Sequence, residues 1–214
     1  MTSKTSHTTK NRILDVAENL FSEKGFDGVS LRQITIEADV NIAAVHYHFG
    51  VREELVRAVF QRRILPIQQE RINRLDQLLA ASTDAQPSLE DALEAFIRPA
   101  YDEAHSANGN GSAYRRLMFR VHSERGQWKE IYNQEVSEVR KRYMNVLVQI
   151  LDRIPQEIVF WRAHFFIGSF IQGLIAGEDL DMISGGALSE TGEDPVKMLI
   201  DFAAAGFRAG YYED

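Results

Sequence analysis

The chain has 214 residues, of which 44% are hydrophobic, 26% charged and 10% aromatic, a globular composition with enough apolar side chains for a sizeable core. With no cysteine, disulfide scaffolds, zinc ribbons, thiol nucleophiles and thiol redox motifs are excluded, and the chain suits a reducing cytosol. The net charge of −7 is unevenly spread: residues 1–63 hold nine Lys or Arg against eight Asp or Glu, and residues 64–214 hold fifteen against twenty-three. A near-neutral amino-terminal part can present a local basic face while the carboxy-terminal part carries the acidity.

Met1 to Lys10 is polar and lacks an apolar run, so no secretory signal is expected. Ile13, Leu14, Ala17, Leu20 and Phe21 recur at helical spacing, and Gly25 follows as a stop. Ser30 with Gln33 forms a capping-box pattern before Ile34 and Ala38. Asn41 offers a second cap before Ile42, Val45 and Phe49. Two short helices about three residues apart make a helix-turn-helix. From Arg52 to about Ala80 the pattern stays helical, and Pro66 is expected to kink it.

Pro87-Ser88 opens a helix to about His105, and Asn108 to Ser112 is expected to be a loop. Helical patterns resume at roughly 113–123, 127–152 and 156–176, followed by a loop over 178–194 and a last helix from Pro195 to about Tyr211. Val159 to Gly177 is long and apolar, but Arg162, His164 and Gln172 argue for a buried helix and against a membrane span. The fold expected is all-α with about nine helices, divided into a helix-turn-helix domain at 1–52 and a larger helical domain at 53–214.

A helix that enters the major groove needs a narrow profile with polar tips. In Asn41 to Phe49, Ile42, Val45 and Phe49 share one face and are expected to pack on the first two helices. Ala43, Ala44, Tyr47 and, more obliquely, His46 are left outside, the alanines for close approach and thymine methyls, Tyr and His for phosphates or base edges. Arg32 and Arg52, each at a helix start, are placed to reach flanking phosphates.

The run Gly25-Phe26, Val29 to Ile34, Ala38 to Asn41, Tyr47-His48-Phe49 and Glu53-Glu54-Leu55 resembles the TetR family of transcriptional regulators. Four positions depart from the pattern. Asp39 stands where the family usually has Gly, Asn41 replaces Ser or Thr, His46 replaces the commonest Tyr, and Arg52 replaces Lys. Asp tolerates the left-handed conformation, so the turn is expected to survive. The resemblance implies a homodimeric, cytoplasmic regulator, a repressor that binds a palindromic operator in double-stranded DNA and is released by a small-molecule effector. It places Ser30, Arg32, Asn41, Ala43, Ala44, His46, Tyr47, His48 and Arg52 at the DNA.

No other chemistry competes strongly. The rings of His46 and His48, two residues apart on a helix, point about 200° apart and do not share a metal. The phosphate-binding G-x-x-x-x-G-K-[ST] and nucleophile-elbow G-x-S-x-G patterns are both absent, and no converging acid–base set is found, so neither catalysis nor a cofactor is expected.

In the acidic part, the resemblance implies dimerisation and an effector pocket. Gly168, Gly173, Ala203 to Gly206 and Gly210 are small residues that let helices approach, between protomers or within one. Tyr101, Phe119, Trp128 and Phe166 are pocket candidates, and Arg120 and Arg162, cations on apolar helices, fit either an anionic head group or a structural carboxylate. Phe160 to Phe166, with Pro66, is similar to the PsrA-like subgroup, which implies a fatty acid or acyl thioester as effector. A competing reading, a helical small-molecule-binding or scaffold protein whose helix-turn-helix no longer binds DNA, is kept open by His46 and the net charge.

Overall fold

A computed structural model describes residues 2–82, 86–106, 111–123, 125–175, 177–185 and 194–210. Among them the regular structure is ten α-helices: α1 Thr2–Lys24, α2 Leu31–Glu37, α3 Ile42–Phe49, α4 Arg52–Ala81, α5 Leu89–Ala104, α6 Gly111–Ser123, α7 Gln127–Ile150, α8 Gln156–Ile175, α9 Gly177–Ser184 and α10 Pro195–Arg208. The all-α expectation holds. The helix beyond the expected nine is α9, where acidic and small residues suggested a loop; the rest of that loop, 186–193, lies outside the described residues, as do 107–110 and 211–214. Gly111 and Ser112, expected in a loop, open α6.

The chain forms two compact units, Met1–Pro66 with Ala107–Val136, and Ile67–Ser106 with Ser137–Asp214. The helix-turn-helix therefore shares its unit with the first half of α4, α6 and the start of α7, so this division differs from the one expected between residues 52 and 53. The division in α4 falls at Pro66, whose missing N–H leaves the Arg62 carbonyl without its helical donor.

The first unit is built on the apolar stripe of α1. Ile13, Ala17 and Phe21 are fully buried, with Phe26, Ile34, Leu55 and Phe60. Phe26 is central: its ring lies 5.4 Å from Phe21, 5.3 Å from Phe60 and 6.0 Å from Trp128. Glu18 of α1 is buried among these residues and is paired by Arg62 and Arg63 of α4.

The second unit is organised around Phe96 of α5, whose ring meets Tyr143 at 5.0 Å, Phe170 at 5.8 Å and Phe166 at 5.9 Å. Pro99 interrupts the backbone ladder of α5, and the nearby Phe96 carbonyl accepts a 2.7 Å bond from Nε of buried Arg71. That guanidinium also stacks 3.8 Å from the Phe96 ring centroid. The Tyr143 hydroxyl donates to the Arg71 carbonyl at 2.9 Å, and burial pushes its pKa up.

α10 packs on both α5 and α8. Two ion pairs edge the α5–α10 contact: Arg208 reaches both oxygens of Glu90, and Arg98 meets Asp194 at 2.7 Å. Asp194 also caps α10 through the Val196 N–H. Hydrogen bonds from Arg208 and Arg98 hold both carboxylates below their ordinary values of 4.5 and 3.8. A depressed carboxylate stabilises the fold above its unfolded pKa, and that contribution disappears as pH falls through the lower folded value. Acidification from about pH 6 to about pH 3 is therefore expected to lower the melting temperature, and a Glu90→Gln/Asp194→Asn variant to show a shallower decline. Because these groups are largely exposed, each pair contributes under about 1 kcal/mol and fades with added salt. Equal slopes in a pH series of thermal melts would refute the assignment.

Candidate nucleic-acid interface

The α2–turn–α3 segment is held by local hydrogen bonds. The Ser30 hydroxyl accepts from the Gln33 N–H at 3.2 Å and donates to Gln33 Oε1 at 3.1 Å, while the Ser30 N–H donates to the same oxygen at 2.8 Å. Asp39 takes φ +49°, the left-handed conformation that an Asp in place of Gly has to accept. Asn41 then caps α3, its Oδ1 accepting from the Ala44 N–H at 2.8 Å. Gly50, at φ +70°, ends the helix, and its carbonyl accepts a bond from His46 Nδ1 at 2.8 Å. A carbonyl can only accept, so Nδ1 carries the proton and Nε2 is the ring's outward nitrogen.

Two residues anchor α3, Val45 at 1% exposure and Phe49 at 7%. Tyr47 projects outward at 81%, its ring 5.1 Å from that of His48, and Ala43 and His46 are exposed beside it, with Ala44 and His48 half-buried. Ile42 departs from expectation. It is the first residue of α3 and is 45% exposed, so the stripe is only partly covered at that end.

Arg32 is exposed on the first turn of α2. Two further cations lie on α1 outside the motif: Lys10 sits 5.8 Å from the Phe49 ring centroid, and Arg12 donates to the Asp39 carbonyl at 3.4 Å. Their signal in the sequence is only proximity to the motif. Arg52 corrects the expectation of a phosphate contact. Its guanidinium turns inward, donates to the Phe26 carbonyl and lies 5.4 Å from the Trp128 ring centroid. Its Nε is buried without a hydrogen-bond partner among the described residues.

The effector candidates divide between the units. Phe119, Arg120 and Trp128 belong to the first, and Tyr101, Arg162 and Phe166 to the second. Trp128 is buried and donates to Asp27 at 2.7 Å, whereas Phe119 is 49% exposed. Tyr101 stacks on His105 at 4.0 Å, and Phe166 is buried against Phe96. Both arginines meet backbone carbonyls. Arg120 donates to the carbonyls of Ser22 and Glu23, and Arg162 to those of Phe207 and Ala209. These carbonyls close α1 and α10, so both guanidinium groups cap helix carboxy-termini where the macrodipole favours a cation. On the buried face of α4, Gln68 keeps Oε1 without a hydrogen-bond partner among the described residues.

α8 is long and apolar enough to cross a membrane by length and composition alone. It is buried on one side only. Val159, Ala163, Phe166 and Phe170 face inward, while Trp161 and Phe165 stand 61% and 63% exposed, which corrects the expectation of a buried helix. On α10, Phe202 is 67% exposed and Met198 45%. Among the described residues, no atom outside the local helix backbone lies within 4 Å of where a Cβ would lie on Gly168 or Gly206, which sit on these outward faces.

Comparison with known proteins gives matches over both parts of the chain. Residues 13–59 match the family described as bacterial regulatory proteins, tetR family, and residues 94–206, more than half of the chain, match the tetracyclin repressor-like C-terminal domain. The probable HTH-type transcriptional regulator YttP of Bacillus subtilis is 41% identical over 58 residues, 25% of this chain and 28% of that protein. IcaR of Staphylococcus epidermidis, the negative transcriptional regulator of the biofilm operon icaADBC, is 42% identical over 48 residues, 22% of this chain and 26% of that protein. The match thus spans about a quarter of each relative. Among solved structures, NalD of Pseudomonas aeruginosa, the secondary repressor of the MexAB-OprM multidrug efflux pump, aligns at TM-score 0.63 with 20% identity, covering 95% of this chain and 98% of that one. A tetR-family regulator from Shewanella sp. PV-4 aligns at TM-score 0.57 with 19% identity, covering 93% and 95%. At these identities the structures establish the shared fold.

Proposed function

Because the chain belongs to the TetR family of bacterial regulatory proteins, we propose that it is a homodimeric, ligand-responsive transcriptional repressor acting in the cytoplasm. The observation that carries this reading is the presentation of α3: a capped, anchored helix whose outer face holds Ala43, His46 and an 81% exposed Tyr47. Two such helices, related by the dimer axis, enter successive major grooves of an inverted-repeat operator. Arg32 and Lys10 neutralise flanking phosphates, and the α2 and α3 caps, Ser30 and Asn41, hold the readout helix in place. The names of IcaR and NalD, a negative regulator and a repressor, support repression as the sign of control.

The effector is a small, predominantly apolar molecule held in the second unit, where the Phe96 cluster offers packing and Gln68 one unsatisfied acceptor. Arg120 and Arg162 are both engaged by backbone carbonyls, so neither is offered as the cation for a fatty acid or acyl thioester head group. Effector and operator oppose each other by the same factor in both directions.

Selection of genomic fragments by the purified protein at about 150 mM salt tests the reading, because phosphate-driven nonspecific binding is weakened there. Fragments sharing an inverted repeat are expected to be enriched. Tyr47→Ala is expected to lower affinity for them by about 10- to 100-fold while leaving thermal stability within about 0.5 kcal/mol of wild type. Absence of any enriched repeat from ligand-free protein would overturn the proposal in favour of a helical ligand-binding or scaffold protein.

A further inference from the structure

We infer that this protein reads its operator mainly through thymine methyl groups, with Ile42 as a specificity residue; this rests on the reading that α3 enters the major groove. α3 contains no Arg, Lys, Gln, Asp or Glu, so the usual bidentate readers of guanine and the carboxylate readers of cytosine are missing. Several of the polar atoms that remain nearby are committed to the fold. Asn41 reads adenine in bidentate fashion only with both its Oδ1 and its amide, and Oδ1 is held by the Ala44 N–H. Ser30 and Gln33 bond each other from both sides, and His46 Nδ1 is bound to the Gly50 carbonyl.

The outer face therefore offers single polar tips, Tyr47 Oη, His46 Nε2 and the Asn41 amide, which suit phosphates or lone base atoms. Around them lies an apolar surface made of Ile42, Ala43 and the half-buried Ala44. Exposure of Ile42 at the first position of α3 has no use in the packing of this unit. Among base edges in the major groove, the thymine C5-methyl is the feature that such a surface can recognise. Arg32 does not change this, since it sits on the helix that in a helix-turn-helix crosses the phosphate backbone.

The test uses the full-length protein and the duplex selected above, with each thymine replaced in turn by deoxyuridine. The exchange deletes one methyl and leaves every hydrogen-bonding group in place. At one or more thymines in each half-site affinity is expected to fall about fourfold, the worth of one buried methyl-sized group. Ile42→Ala is expected to weaken binding to the natural duplex by a similar factor and to abolish the deoxyuridine effect at one of those positions. Deoxyuridine without effect at every position, together with a large loss on replacing guanine by 7-deazaguanine, would overturn the inference and leave the operator reading intact. A deoxyuridine effect that Ile42→Ala does not alter would remove Ile42 from the readout. Failure to select any duplex would overturn the operator reading and this inference together.

Discussion

Replacing Glu18 by Ala is expected to lower the free energy of unfolding by about 3 kcal/mol, the largest effect of any single charge in the first unit. Glu18 is a carboxylate at 1% exposure, in contact with Arg62 and Arg63, which are themselves only 25% and 17% exposed as side chains. Taking such a group out of water is costly, and the two guanidinium groups offset that cost. Removing the carboxylate leaves two partly buried cations repelling each other beside an apolar core. Arg62 would keep exposed Asp15 alone, and its Nε has no partner among the described residues. Asp15, the other partner of Arg62, is 66% exposed, and Asp15→Ala is expected to cost less than about 1 kcal/mol. Urea unfolding of both variants measures the contrast directly. Equal midpoints would mean that burial of Glu18 costs as much as its ion pairs return. Glu18 joins α1 to α4, so its loss is also expected to loosen the helix that leads out of the DNA-binding unit.

What the sequence made legible follows from how local each interaction is. The caps at Ser30 and Asn41 and the left-handed turn at Asp39 depend on residues within three or four positions of each other, and each is found where the spacing implies it. Helical stripes such as Ile13 to Phe21 are equally local. The arginines were harder to read because a cation is visible in a sequence while its acceptor is not. Arg52, Arg120 and Arg162 each bind backbone carbonyls of residues 26 to 98 positions away. Every helix ends with carbonyls that lack a partner, so an arginine on an apolar helix has many such acceptors to choose from. Ile42 differs for another reason: periodicity assigns a face but does not say how much of that face a neighbouring helix covers. α8 shows the same limit at larger scale, since an almost wholly apolar helix has no stripe from which to tell its covered side from its open one.

That open side supports the second large prediction: Phe165→Glu is expected to convert the protein to a monomer and to lower operator affinity by at least about 100-fold, since two half-sites would no longer be bound as one unit. Trp161, Phe165 and Gly168 follow one another at helical spacing along α8, and Met198, Phe202 and Gly206 do so along α10, which packs beside it. The aromatic rings are more than 60% exposed in the single chain, so a charge at Phe165 is not expected to reduce the melting temperature of the monomer. The glycines sharpen the test. Gly within a helix costs about 1 kcal/mol relative to Ala, and among the described residues no atom outside the local helix backbone lies within 4 Å of a Cβ at position 168. Gly168→Leu is therefore expected to stabilise α8 in isolation but to separate the protomers, if a partner helix approaches there. Sedimentation together with thermal melts distinguishes the cases. A variant that melts higher yet dissociates at lower dilution supports a four-helix interface formed by α8 and α10 from each protomer. A variant that melts higher and stays dimeric, together with a dimeric Phe165→Glu, would place the dimer contact elsewhere on the chain.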